Sequence, residues 1–364
     1  MKPIDCNPSA RLGIRALIFC AFLLLLIVPG CGGLNMIIPP TVIPTASIPP
    51  TATATRPPTS TPTLTSTPTE IPPLCGGPRS MLILLVGSDA RGNTYNIGLA
   101  DAIRLVRVDF IEPRVQLLNF PRDLYVEIPG IEDHNGITHG KLNQAYLYGN
   151  PGYGYFGGSG QGPALLALTL EHNFDAHADH YLAVNLQTFS KVVDSLGGID
   201  IRLPYVVDGR VKGSKDPNRY FPAGNQHLNG YRTMLLARMR PQGDVQRGEI
   251  QNLIMESVVE KFLRMDVLSQ LPKLAETFRG SVQTDLVPAQ IGQLACLATM
   301  LDSEKIEFVN FPDDLFTTTR VQDPVLGYTS ILAADFDILK MYMKKFERGT
   351  WFDAEENVRD KIME

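Results

Sequence analysis

The sequence predicts an α/β layer fold. From Met81 onward, apolar runs of strand length alternate with longer segments of helical period, the first two runs end in charged loops, and no internal repeat breaks the pattern. Met81–Val86 is a continuous apolar run that leads into Gly87-Ser88-Asp89, a buried strand opening onto a loop. Ala102–Asp109 and Val115–Phe120 read as two further strands, separated by the turn Ile111-Glu112-Pro113-Arg114. Pro129–Gly162 reads as loop, with glycine and tyrosine clustered at Tyr146–Gly162. Pro163–Asn173 reads as a helix opened by Gly-Pro, because proline suits the first helical turn. His180–Val184 is a strand, Leu186–Leu196 a helix stopped by Gly197-Gly198, and Ile199–Leu203 a strand. Tyr205–Gly224 is a polar excursion, Asn229–Ala237 and Arg247–Arg264 are helices, Pro288–Leu301 a helix, Lys305–Phe311 a strand, and Phe336–Phe346 a final helix.

The chain has 364 residues and is 44% hydrophobic, enough for a full core in one large domain. Setting aside Lys2, Arg11, Arg15 and Arg56 leaves 29 of the 33 basic residues, and setting aside Asp5 and Glu70 leaves 36 of the 38 acidic ones. A body with that acidic balance lacks the broad basic surface that phosphate-backbone affinity needs, so a nucleic-acid partner is not expected.

Residues 1–38 read as an export signal or anchor. Lys2, Arg11 and Arg15 precede the 13-residue apolar run Ala16–Val28, which is short for a membrane span and right for a signal-peptide core. Val28-Pro29-Gly30-Cys31 resembles a bacterial lipobox, with Cys31 as the lipidated residue. Two alternatives stand beside it: an uncleaved membrane anchor continuing through Ile38, and free secretion. All three place the main domain on the extracytoplasmic side of a membrane. Residues 39–78 form a linker; of the 35 residues in Pro39–Pro73, 22 are Thr or Pro, a composition that cannot offset its ordering entropy by burial. Proline keeps such a stalk extended, at roughly 3.1 Å per residue, so it could reach on the order of 100 Å. The globular domain is expected over 79–347, with a short tail at 348–364. Beyond the leader only Cys75 and Cys296 remain. In an exported domain they allow one disulfide, and a buried free thiol at Cys296 is the alternative.

Chemistry concentrates in three segments. Asp89 ends one expected strand, and Asp101, 12 residues later, opens the next. Paired carboxylates with no histidine at ligand spacing suit a hard cation, Mg²⁺ or Mn²⁺, rather than zinc; the plainer reading makes both of them turn caps. Arg122-Asp123 follows a strand and Pro121, where α/β folds place ligand contacts; the plainer reading is a surface salt bridge. Arg238 and Arg240 are two apart, and Pro241 disfavours a helical Arg240, so in an extended segment they share a face. Arginine suits phosphate because its planar fork donates in pairs. Arg247 and Gln251, four apart at a helix start, lie on one helical face. Arg91 and Lys141 are further candidates for an anionic ligand, the latter set against a simple helix start. Ser88 and Ser159 lack a convincing His/Asp partner, which argues against serine-hydrolase chemistry.

Taken in order, these motifs resemble the LytR–CpsA–Psr family of cell-envelope proteins over roughly Met81–Phe346. The matching stretches are Leu84-Leu85-Val86-Gly87-Ser88-Asp89, Asn119-Phe120-Pro121-Arg122-Asp123-Leu124-Tyr125-Val126-Glu127-Ile128-Pro129, Lys141-Leu142-Asn143-Gln144-Ala145-Tyr146, Val192–Ile199, Gly224–Gly230 and Ala237-Arg238-Met239-Arg240. The resemblance implies an α/β/α sandwich with a mixed central sheet. It implies a Mg²⁺-dependent phosphotransferase that moves a glycopolymer from a polyprenyl-pyrophosphate carrier to peptidoglycan. By the same resemblance Asp89 and Asp101 contact the metal, Arg122, Arg238, Arg240 and Arg247 clamp the pyrophosphate, and an apolar pocket takes the lipid tail. Asp101 or Asp123 is the candidate catalytic base, with Arg122 beside them. The family's older description as transcriptional attenuators does not suit an exported domain. The chain departs from the family pattern at Leu99-Ala100-Asp101-Ala102, where Arg-Ser/Thr-Asp-Thr is usual. One charge-assisted contact is lost there, worth about 1.5–3 kcal/mol, with Arg91 or Arg104 as compensating candidates. A lipid-pyrophosphate hydrolase and a non-catalytic polyprenyl-phosphate-binding module are the alternative functions.

Overall fold

The computed structural model describes residues 71–92, 95–211, 213–239, 244–264 and 281–351. The leader with Cys31, nearly all of the stalk, Arg240 and the tail beyond residue 351 lie outside the described residues.

In chain order the strands are β1 Ser80–Ser88, β2 Ala100–Asp109, β3 Arg114–Phe120, β4 Tyr125–Glu127, β5 His139–Lys141, β6 His180–Asn185, β7 Ile199–Leu203, β8 Val207–Asp208, β9 Tyr220–Phe221, β10 Gly224–Leu228, β11 Val282–Thr284, β12 Ile306–Asn310, β13 Thr317–Asp323 and β14 Gly327–Ala333. The helices are α1 Leu142–Gly149, α2 Gln161–Phe174, α3 Leu186–Ser195, α4 Gly230–Ala237, α5 Asp244–Arg264, α6 Pro288–Ala298 and α7 Phe336–Arg348. Six strands form one central sheet in the order β11-β6-β1-β2-β3-β12. β1 runs parallel to β6 and antiparallel to β2, while β3 runs parallel to β12, so the sheet is mixed as expected.

The sheet is buried on both faces, which is why its strands read as continuous apolar runs rather than as an alternation. Leu84, Val86, Ile103, Leu105, Leu118 and Phe120 belong to a large core with residues of α1, α2 and α7. Phe120 sits at its centre, edge-on to Phe174 at 5.1 Å and to Phe311 at 5.6 Å between ring centroids. Met81, Ile83, Val108, Leu117 and Leu182, of opposite parity, pack with α6 in a second core. A third core joins α3, α4 and α5 to β7 and β10 through Val193, Leu196, Ile199, Leu228, Leu236 and Ile254.

Local sequence fixes the helix starts. Asn185 Oδ1 accepts from Thr188 N at 2.7 Å to cap α3, and Asn229 Oδ1 accepts from Arg232 N at 2.9 Å to cap α4. Pro288 occupies the first turn of α6, and Gly349, at φ 74°, ends α7 in the left-handed conformation.

Several elements differ from expectation. The segment read as loop contains β5 and α1, and the stretch after Phe311 contains the hairpin β13–β14. Two boundaries also shift. Trp351, assigned from sequence to the tail, is buried in the main core against Phe311 and Phe346. Leu74, assigned to the linker, donates from its backbone to Phe110 O at 2.8 Å. Next to it Cys75 forms a disulfide with Cys296 on α6. Among the described residues no helix is long and apolar enough to cross a membrane.

Candidate functional site

The site is built where β1 ends and β2 begins. Their antiparallel register pairs Gly87 with Ala102 and Ser88 with Ala100, leaving Asp101 as the extra residue of a β-bulge. A bulge re-aims one side chain out of the ladder. Asp101 thereby both binds Arg122 and lines a cavity. The connecting loop is held tight. Asp89 N donates to Leu99 O at 3.1 Å, and Asp89 Oδ1 accepts from Leu99 N at 2.7 Å. Gly98 is required there, since a Cβ at that position would sit 2.6 Å from Ala90 N.

A chain of charge runs from Asp101 across the top of the sheet. Arg122 Nη1 donates to Asp101 Oδ1, and Arg122 Nε donates to Asp123 Oδ2 at 3.1 Å. Lys141 Nζ donates to Asp123 Oδ1 at 2.7 Å. The four side chains are between 8% and 16% exposed, so these bonds lie in a poorly solvated region where ion pairs carry more energy than at a surface. The surface-salt-bridge reading of Arg122-Asp123 is therefore set aside. The backbone locks the same residues: Asn143 N donates to Arg122 O at 3.1 Å and Leu332 N to Asp123 O at 2.9 Å. Lys141 precedes α1, and its own N–H donates to Gln144 Oε1 at 2.6 Å, replacing a Ser/Thr cap.

Beside this chain lies an open cavity, about 1040 Å³ with the solvent space at its mouth included. Its walls are largely apolar: Leu85 and Val86 from β1, Leu182 and Val184 from β6, Phe189 from α3 and Ile254 from α5. Its polar lining includes Asp101, Arg104, Arg238 and Gln251. Gln251 Nε2 donates to Ala237 O at 3.2 Å, which ties α5 to the end of α4 beside Arg238.

The expected residues separate into groups. Asp101, Arg122, Asp123 and Lys141 form the bonded chain, while Arg238 and Gln251 line the cavity with Asp101. Arg238 is not extended as expected. It is the C-cap of α4 at φ −98°, ψ −7°, with its N–H on Leu235 O at 3.1 Å, because the last helical turn carries through it. Arg91 is exposed on the loop after Asp89. Arg247 lies in the first turns of α5.

Asp89 and Asp101 stand on adjacent strand ends and offer two hard oxygen donors, a set whose chemistry fits Mg²⁺ or Mn²⁺. Among the described residues no three His, Cys, Asp or Glu side chains gather as a metal cluster. Such an ion would therefore need ligand phosphate oxygens or water to complete its shell. Sequence reasoning missed two contributors. One is the backbone of Leu332 on β14; the other is Asn252, whose only sequence signal is its place one residue past Gln251.

The LytR_cpsA_psr family model matches residues 74–341. This chain belongs to the LytR_cpsA_psr family. Among related proteins, the Regulatory protein MsrR of Staphylococcus aureus (strain COL) is 30% identical over 214 residues, 58% of each chain. The match thus spans 58% of that relative's length. The polyisoprenyl-teichoic acid–peptidoglycan teichoic acid transferase TagU of Bacillus cereus (strain AH820) is 28% identical over 251 residues, 68% of this chain and 69% of that one. In structure, B. subtilis TagV superposes with a TM-score of 0.56 at 23% identity, covering 74% of this chain and 98% of that one. A TagT structure described as bound to LIIa-WTA gives 0.55 at 21%, covering 74% and 90%. These likenesses show the LytR_cpsA_psr fold.

Proposed function

We propose that the protein is a phosphotransferase of the cell envelope, moving a glycopolymer from a polyprenyl-diphosphate carrier to peptidoglycan on the extracytoplasmic side of the membrane, to which its N-terminal segment attaches it. The observation that carries this reading is one cavity with largely apolar walls whose lining also includes Asp101, Arg238 and Gln251, beside the Asp101–Arg122–Asp123–Lys141 chain. A lipid diphosphate has the same two-part character. The relative TagU, a polyisoprenyl-teichoic acid–peptidoglycan teichoic acid transferase, and the structure of TagT bound to LIIa-WTA support it.

The chemistry asked of the site is electrostatic and positional. An acceptor hydroxyl attacks the polymer-bearing phosphorus, the bridging P–O bond breaks, and lipid monophosphate leaves. Arg122 and Arg238 balance the charge that develops on the phosphates. Asp101, which lines the cavity, takes the hydroxyl proton. Asp123, held between Arg122 and Lys141, is a positioning residue that fixes both cations. Asp89 and Asp101 would hold a Mg²⁺ or Mn²⁺ ion, which would supply further charge neutralisation at the diphosphate.

The test is a reconstituted reaction with lipid-linked polymer and peptidoglycan. The expected result is polymer covalently joined to peptidoglycan, with D101N slowed at least about 100-fold. Release of free phosphorylated polymer without ligation would make the protein a hydrolase. Lipid binding without turnover would make it a binding module, the reading that Leu99 at the family's arginine position favours.

A further inference from the structure

Arg104 sits mid-strand in β2, on the face opposite Ile103 and Leu105, and that parity puts it in the cavity wall. It is 3% exposed. Its Nη2 donates to Asn252 Oδ1 at 2.6 Å, and Asn252 Nδ2 donates onward to Asn310 Oδ1 at 3.3 Å. Its Nε is buried with no hydrogen-bond partner. No carboxylate lies within ion-pair distance of it among the described residues. The charge it feels is that of Glu256, one turn along α5 from Asn252.

A buried guanidinium satisfied only by a neutral amide is costly, and the cost is visible in its acidity: burial pulls its pKa down to about 10, still charged at neutral pH. Packing does not call for it. Val106 and Val108 continue the same face as apolar residues. What the position has is a guanidinium in the wall of a cavity that Gln251, Asn252's neighbour on α5, also lines with Arg238 and Asp101, its hydrogen bond going to Asn252 alone among the described residues. Arg91, by contrast, is exposed on its loop.

We propose that Arg104 is a ligand-binding residue that donates from the cavity wall to a phosphate oxygen of the bound lipid diphosphate. The assignment rests on the proposed function. Arginine suits it because the fork keeps Nη2 on Asn252 while another N–H serves the phosphate.

Calorimetric titration with farnesyl diphosphate, and with farnesol as the phosphate-free control, separates the two claims. Wild type is expected to bind the diphosphate more tightly than the alcohol. R104M is expected to lose at least about tenfold in diphosphate affinity and to hold farnesol within twofold. If R104M fails to fold, R104Q, which keeps a donor for Asn252 without the charge, is expected to show the same loss. Diphosphate affinity unchanged in the folded variant overturns the Arg104 assignment and leaves the proposed function standing. A wild type that prefers farnesol overturns both.

Discussion

Replacing Arg122 with alanine is expected to abolish measurable transfer and to lower the unfolding free energy by about 3–5 kcal/mol. The magnitude follows from what the guanidinium joins. Its Nη1 serves Asp101 and its Nε serves Asp123, with both carboxylate side chains 10% exposed or less. Without it Asp123 keeps Lys141 at 2.7 Å, while the poorly solvated Asp101 loses its bond to the guanidinium. Breaking a buried pair by removing one partner costs far more than the pair's net worth, because the desolvated charge stays behind. R122K is expected to recover little, since a single ammonium cannot present two N–H groups at the fork spacing that the two aspartates require. Urea unfolding and the reconstituted transfer reaction read the two effects. An R122A protein as stable as wild type, or transferring at more than a tenth of its rate, contradicts this account of the site.

The second large effect concerns the disulfide. Cys75 and Cys296 are 221 residues apart in sequence, so their bond closes nearly the whole folded body into one loop. Chain entropy alone gives about 5 kcal/mol of stabilisation for a loop of that length. The bond also fixes the turn Leu74–Gly76 to α6, where Gln293 Nε2 donates to Gly76 O at 2.8 Å. C75S/C296S is expected to melt roughly 10 °C or more below wild type, and dithiothreitol is expected to lower wild type to the same point. A shift below about 2 °C in both experiments contradicts a structural role. Such a bond persists in an oxidising compartment, in keeping with an exported domain.

Much of the fold was legible because its signals are local. β1 and β3 announced themselves as apolar runs that burial on both faces requires, and α3 through the Gly197-Gly198 stop. What escaped was structure whose stabilising partners lie far away in sequence. The hairpin β13–β14 is built from threonine, arginine and glutamine on exposed strands, without an apolar run to betray it; its anchor is a backbone bond from Leu332 to Asp123.

The candidate site was legible as a set of residue types and less so as geometry. That Arg122, Asp123 and Lys141 belong together could be guessed from charge after a strand; that Asp123 sits between the two cations could not. The β-bulge at Asp101 is a register property, invisible in a single strand's sequence. Arg104 is the instructive residue. Period-two alternation in β2 places it opposite Ile103 and Leu105, yet only the tertiary fold shows that this opposite face is also buried and lines a cavity.

The central claim, that the cavity beside Asp101 houses the hydrocarbon of a phosphorylated polyprenyl carrier, is tested most directly by native mass spectrometry of the protein purified from a cell that makes such lipids. The expected result is a bound species near one per protein, fragmenting to a polyprenyl phosphate or diphosphate and absent from R122A. A protein that carries no lipid, or one that carries only glycerophospholipid or free fatty acid, contradicts the claim.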